Sequence, residues 1–361
     1  MPFHWLVDIF SVLHYIRLTA NHIEIIEMRN DTCGSRPARI VSIHIQGAPA
    51  TLPRSTERRL EFMVALARAI RRKAWHGIDA LVFPAGYLRT DDWLAPASSD
   101  LRRAMIDASL GEICAHAIRK LDQSSPGCVL ISGIDTNRYR PWGFRGDQAL
   151  AAFDKFGCLT VVRKIFPTDG DTNEDGRTPY LLDFEGAASE ERFLPLANGD
   201  QAILCLCYDS FVFSELVRGP TKKLRAMRYQ LADLDGWDDL GSEQAWRWLT
   251  ALRRQIDEHK PRVILNPIHG FDRPGREVFW HRHGLACASS YLSGAMAIGA
   301  AHYRTSLPDN QFAMLAARSA PFDHIRLGHH RPAYPHSAIE SFHFRGSGRY
   351  PMNALVQLHE G

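Results

Sequence analysis

Apolar and polar residues alternate with period two across "IVSIHIQG" (40–47), which predicts a strand. The period then changes: Leu60, Met63, Val64, Ala67 and Ile70 recur at helical spacing over 56–75, with Arg and Lys on the opposite face. "ALVFPAG" (80–86) predicts a second strand, stopped by Pro84 and followed by two of the smallest residues in the segment, Ala85 and Gly86. Residues 99–120 predict a second amphipathic helix, "CVLISGIDT" (128–136) a third strand, and "QALAAFD" (148–154) with "CLTVVRKIFP" (158–167) a hairpin-like pair. "QAILCLCYD" (201–209) predicts another strand. A long helical stretch with Trp237, Trp246 and Trp248 leads to "RVILNP" (262–267), "GLACASSYL" (284–292) and "AMAIGAAHYR" (295–304). Strands and helices alternate with no internal repeat, so one α/β domain is expected over 38–304. Residues 167–188 are acidic, Gly-rich and loop-like. Residues 305–361, rich in His, Arg, Pro and aromatics and weakly periodic, are expected to wrap over the core as a tail.

Composition narrows the class. With 361 residues, 45% hydrophobic and 23% charged, the chain can bury a large core, and neither disorder nor a fibre fits. A formal charge of +3 gives no reason to expect nucleic acid or an acidic membrane as a partner. The seven cysteines are scattered and form no CxxC pair, which points to a reduced, cytoplasmic protein with no zinc or exchange motif. The apolar opening "MPFHWLVDIFSVLHYIRL" is interrupted by Asp8 and lacks a basic n-region and a cleavage site, so residues 1–37 read as an N-terminal extension; translation from Met28 is the alternative.

Chemistry concentrates in "ILCLCYDSF". An apolar strand ending at Cys207 can place a sulfur in a pocket beside the backbone N–H of Tyr208, an oxyanion donor; Cys205, two residues earlier, is deeper in the strand and reads as core. In "VVRKIFPT", alternation puts Lys164 on the face of Thr160 and Val162. On an edge strand such a lysine guards against aggregation; on a strand covered on both faces it takes an ammonium into the interior and needs a partner or a task. Asp171, with Asp169 and Glu174, stands in the following Gly-rich loop. "DTNEDG" (171–176) begins like a calcium loop but has Leu182 where the twelfth-position glutamate belongs. The pairs His281/His283 and His329/His330 lack ligand-spaced partners, so no metal or cofactor is expected. "RGPTKKLRAMR" (218–228) reads as a solvated helix face. No GxSxG, HExxH, P-loop or GxGxxG occurs.

The order "FPAGY", "RKIFPT", "CYD", "ILNP" resembles the nitrilase, or carbon–nitrogen hydrolase, superfamily over about Ile40 to Arg304. The resemblance implies a four-layer α-β-β-α sandwich of two sheets flanked by helices, paired through its helices into a homodimer. It implies a Glu-Lys-Cys set in which Cys207 is the nucleophile, Lys164 the lysine and Tyr208 the residue whose amide supports the oxyanion. The family glutamate falls on Ala85, so the general base is missing, and Asp171 is the candidate substitute carboxylate. The function implied is hydrolysis of non-peptide carbon–nitrogen bonds, of a small amide rather than a nitrile, through a thioester. The alternative is a pseudoenzyme that keeps the pocket and binds a small ligand or partner protein.

Overall fold

The computed structural model describes residues 14–19, 22–27, 36–48, 52–53, 55–90, 98–136, 148–164, 190–213, 240–271, 280–292, 294–303, 338–346 and 352–361. Two units are distinct, 1–36 and 37–361. In the first, β1 (His14–Thr19) and β2 (His22–Glu27) pair antiparallel from His14↔Glu27 to Thr19↔His22.

The second unit is a mixed α/β fold with a curled sheet. Its first half is built from β3 (Arg39–Gln46), β4 (Ala80–Val82), β5 (Leu88–Thr90), β6 (Val129–Thr136), β7 (Gln148–Asp154) and β8 (Gly157–Arg163). Its second half comprises β9 (Phe193–Pro195), β10 (Gln201–Leu204), β11 (Val263–Phe271) and β12 (Met296–Tyr303). The strand order is β8-β7-β6-β4-β3-β12-β11-β10-β9, with β5 beside β6. The halves are joined through β3 and β12 at His302↔Ile45 and Tyr303↔Gln46. β7 and β8 form the expected hairpin, and Asp154 Oδ1 accepts from Phe156 N and Gly157 N at its turn.

Helix α1 (Thr56–Arg72) starts where Ser55 accepts from Arg58 N and ends with Arg71 and Arg72 in the last turn, where cations suit the helix dipole. The expected helix over 99–120 is divided into α2 (Ser99–Ile106) and α3 (Glu112–Arg119) by a π turn at Asp107–Gly111. The turn has a tertiary use: Asp107 Oδ1 accepts from Cys158 N, pinning the helices to β8. Helix α4 (Leu240–His259) covers part of the predicted long helical stretch, with Trp237 outside the described residues. Helix α5 (Cys287–Tyr291) follows a second π turn.

Three apolar cores result from strand alternation. Leu60, Met63, Leu66 and Ile70 of α1 and Ile118 of α3 pack on Val41, Ile43, Leu81 and Leu130. Leu252 and Ile256 of α4 and Ala288 of α5 pack on Ile203, Ile264 and Ala297. The third core draws on both halves, joining Ile40, Val82, Ile131, Leu150 and Val162 to Leu204, Leu265 and Ile298. The strand faces lining this third core are the inner faces.

The tail contributes strands, which its weak periodicity did not predict: β13 (Glu340–Arg345) pairs with β14 (Asn353–Glu360), and β14 lies antiparallel to β3 over its full length. Among the described residues no helix is long and apolar enough to cross a membrane.

Candidate functional site

Strands β3, β4, β6, β8, β10, β11 and β12 run in one direction, so their carboxyl ends gather at one end of the fold. At that end the inner faces change from apolar to polar. On β6 the series Val129, Ile131, Gly133 ends in Asp135; on β7, Ala152 and Leu150 give way to Gln148; past β8, Val162 is followed by Lys164; on β11, Val263 and Leu265 lead to His269.

The chain leaves β10 through Cys205 and Leu206 and turns at Cys207, which adopts φ 52°, a left-handed conformation rare for a residue with a Cβ. A 3-10 turn, Cys207–Phe213, follows. This turn gives Cys207 surroundings different from those of Cys205, two residues earlier. Cys205 lies in the helix-side core, where burial pushes its thiol pKa up, whereas Cys207 borders both that core and the inner one. Among the six described cysteines Cys207 is the one that is not fully buried.

The elbow is held by polar groups on every side. Leu206 N donates to Asp209 Oδ2 (3.2 Å), and Asp209 N donates to Leu206 O (3.0 Å). Asn266 Nδ2 and Ser210 Oγ both donate to Cys207 O at 3.1 Å. Arg192 Nη1 reaches Leu204 O (3.3 Å) and Asp209 Oδ2 (3.4 Å), while its Nη2 donates to Arg163 O, the residue before Lys164. One buried guanidinium thus ties the cysteine elbow to the end of β8.

Lys164 is 1% exposed although β8 closes one edge of the sheet. Its ammonium is interior, and Nζ donates to Gln148 Oε1 at 3.0 Å. Gln148 pairs across the ladder with Asp135, whose Oδ1 lies 2.7 Å from His269 Nε2. The His269 ring is also hydrogen-bonded to Cys207. Burial alone would lower the His269 pKa; the charge and hydrogen bond of Asp135, with Cys207 beside it, overturn that and raise it to about 10. The contrast with His302 is direct: this neighbour on β12 has only Gly47 O on Nδ1, and burial lowers it to about 3.

Ala85 is fully buried, and its N–H donates to Ile268 O (3.2 Å), immediately before His269. A Cβ on Gly133 would come within 2.3 Å of Ala85 Cα. Gly86, at φ 68°, is approached as closely: a Cβ there would lie 2.6 Å from Asp135 Oδ2 and 3.0 Å from His269 Cδ2. Smallness at 85, 86 and 133 lets the end of β4 lie against β6 and β11. Tyr87 points away, its hydroxyl donating to Arg59 O (2.6 Å) and its ring against Phe83.

Of the positions singled out from the sequence, Cys207, Lys164 and Ala85 stand at this end of the fold, and Tyr208 follows Cys207 in the turn. Asp171, the 171–176 stretch and His329/His330 lie outside the described residues. Among the described residues no cluster of three or more His, Cys, Asp or Glu is arranged to hold a metal. Asp135 and His269 were missed, although "SGIDT" and "ILNPIHG" continue the inner-face alternation to both. A separate cleft of about 650 Å³ opens at the opposite ends of β10–β12, lined by Asp200, Lys260, Arg262 and Met296 among others, and touches none of these residues.

No protein-family profile and no curated protein sequence matches the chain. Among solved structures, an amidase from Nesterenkonia sp. aligns over 91% of this chain and 92% of that chain, at 12% identity and a TM-score of 0.41. A likeness of that size carries no inference about this chain.

Proposed function

We propose that the protein is a cysteine-dependent hydrolase of non-peptide carbon–nitrogen bonds with a nitrilase-like plan, acting on a small amide in preference to a nitrile. The observation that carries the reading is Cys207 itself: a partly exposed thiol, on a braced left-handed turn at the carboxyl end of a parallel strand, where α/β folds place ligands. In this reading the Cys207 sulfur attacks the carbonyl carbon, and the Lys164 ammonium with the Tyr208 N–H stabilises the oxyanion. Collapse of the tetrahedral intermediate expels the amine and leaves a thioester, which water hydrolyses. The buried position of Lys164 supports its assignment, since an interior ammonium needs either compensation or a task. The three cores support a four-layer α-β-β-α arrangement, and pairing of two copies through their helices belongs to the same reading.

A second reading, a ligand-binding pseudoenzyme, is favoured by one observation: position 85 carries no carboxylate. Hydrolysis of a panel of simple amides by wild type and Cys207→Ala separates the two. Amine release by wild type and none by the variant is expected. A wild type as inert as Cys207→Ala, yet retaining a small ligand, would establish the pseudoenzyme instead.

A further inference from the structure

We infer that His269, seated on Asp135, supplies the proton transfer that position 85 lacks, so that Cys207, His269 and Asp135 work as nucleophile, general base and orienting carboxylate. The inference rests on the reading of Cys207 as the nucleophile.

Three independent features converge on it. The first is connectivity. Asp135 Oδ1 holds His269 Nε2 at 2.7 Å and the same ring is hydrogen-bonded to Cys207, with the three residues delivered by β6, β11 and the elbow after β10. A nucleophile, a base within hydrogen-bond reach and a third group that orients the base are the parts such a relay requires. The second is space. Gly86 cannot carry a Cβ because Asp135 and His269 fill that ground, and the Ala85 amide fastens β11 one residue before the imidazole. The pair thus stands beside the position from which the family glutamate would act. The third is the contrast among interior histidines. His44, His281 and His302 are held neutral by burial, whereas His269 alone of these four has a carboxylate partner that stabilises its cation. A base that gains a proton as the thiolate forms needs that compensation.

The chemistry balances without a further reactant. With Nε2 committed to Asp135, the other ring nitrogen, Nδ1, remains to hold the proton that Cys207 gives up, so the pair stands as thiolate and imidazolium before substrate arrives. The sulfur forms a C–S bond to the amide carbon, and the carbonyl π pair moves to oxygen. When the oxyanion collapses the C–N bond breaks, and the imidazolium returns its proton to the departing amine. In the second half a water gives one proton to the imidazole while its oxygen attacks the thioester. The C–S bond then breaks and leaves the thiolate beside the imidazolium, giving one carboxylic acid and one amine per amide and water consumed. Asp135 orients the ring throughout and receives no proton. The other titratable groups around the pair are Lys164, linked to Asp135 through Gln148, the neutral His302 on β12, and Arg59 of α1.

The test measures the thiol before it measures turnover, so it needs no knowledge of the substrate. Iodoacetamide labelling of the full chain, read at each cysteine by mass spectrometry from pH 5 to 9, is compared in wild type, His269→Gln and Asp135→Asn, with thermal melts for folding. An unassisted thiol is under about 1% thiolate at pH 6. Wild-type Cys207 is therefore expected to react at pH 6 at least about 10-fold faster than in His269→Gln, whose profile should rise with pH like a free thiol. Asp135→Asn, which keeps the shape of the side chain, should move the profile in the same direction, and it carries the comparison if His269→Gln does not fold. Amide turnover should drop by about 10²–10⁴ in His269→Gln. If wild-type Cys207 reacts readily at pH 6 and neither substitution changes its profile, the relay is wrong while the nucleophile stands. If Cys207 in wild type reacts no faster than buried Cys114 or Cys128, the nucleophile and the relay fail together.

Discussion

Arg192 and Asp209 form a buried ion pair, Nη1 to Oδ2 at 3.4 Å with each side chain 1% exposed, and the pair spans the turn on which Cys207 stands. The same guanidinium holds Leu204 O and Arg163 O, so a single side chain fixes the cysteine elbow relative to the strand that carries Lys164. Without Asp209 the guanidinium would lose this carboxylate, and Leu206 N would lose the Oδ2 acceptor.

From this pair we predict that Asp209→Ala destabilises the protein by about 3–5 kcal/mol, the usual cost of breaking a buried ion pair by removing one partner. Cys207 should lose its selective labelling as the turn relaxes from its left-handed conformation. Denaturant unfolding and iodoacetamide mapping check both. Unchanged stability would show that the guanidinium does not depend on Asp209.

Ala85→Glu is expected to impair and not to rescue. The ground beside 85 and 86 already holds the Asp135 carboxylate and the His269 ring, so a glutamate would overpack the site at about 1–3 kcal/mol and set a second carboxylate against the first. Thermal melts and amide hydrolysis by wild type and the variant measure this. A gain in turnover would show that position 85 is an empty socket.

Replacing Lys164 with Met separates charge stabilisation from nucleophile activation. Turnover should fall by about 10²–10³, the usual cost of losing one oxyanion donor, while labelling of Cys207 at neutral pH persists because His269 is untouched. The hydrogen bond from Nζ to Gln148 Oε1 is lost as well, which adds about 0.5–1.5 kcal/mol of destabilisation. Loss of labelling in step with turnover would instead make Lys164 the group that activates the thiol.

Stability should pass through a maximum near neutral pH for two opposed reasons. The folded pKa of His269 is raised to about 10, so its contribution is fully present below about 6.5 and is lost as pH rises through 10. His44 and His302 are lowered to about 3 and His281 to about 4, so the unfolded chain binds protons that the folded chain refuses, and stability falls as pH drops from about 6.5 toward 3. Melts from pH 4 to 10 should show both limbs, and His269→Gln should flatten the alkaline one only. An alkaline limb unchanged in that variant would mean that another group titrates there.

Much of the local structure was legible in the residue pattern. The 3.6-residue rhythm of Leu60, Met63, Ala67 and Ile70 placed α1 against the sheet, and the apolar strand patterns at 40–47, 128–136, 148–154 and 158–167 placed β3, β6 and the β7–β8 hairpin. The apolar run into Cys207 marked the end of a strand, and the parity of Lys164 with Val162 already put it on one face. Which of its two fates that lysine meets was a tertiary matter, because β8 lies at a sheet edge whose inner face the other half of the fold covers. The tertiary structure alone brought Asp135 to His269 across a separation of 134 residues: each ends an inner-face series, but only the closing of the two halves on each other sets their register. The same holds for β14, whose partner β3 lies more than three hundred residues earlier, so that no local pattern could announce the pairing. Periodicity records the environment of each side chain along its own strand, while a site is assembled from groups on different strands, whose relative positions are fixed by packing over distances that local preference does not reach.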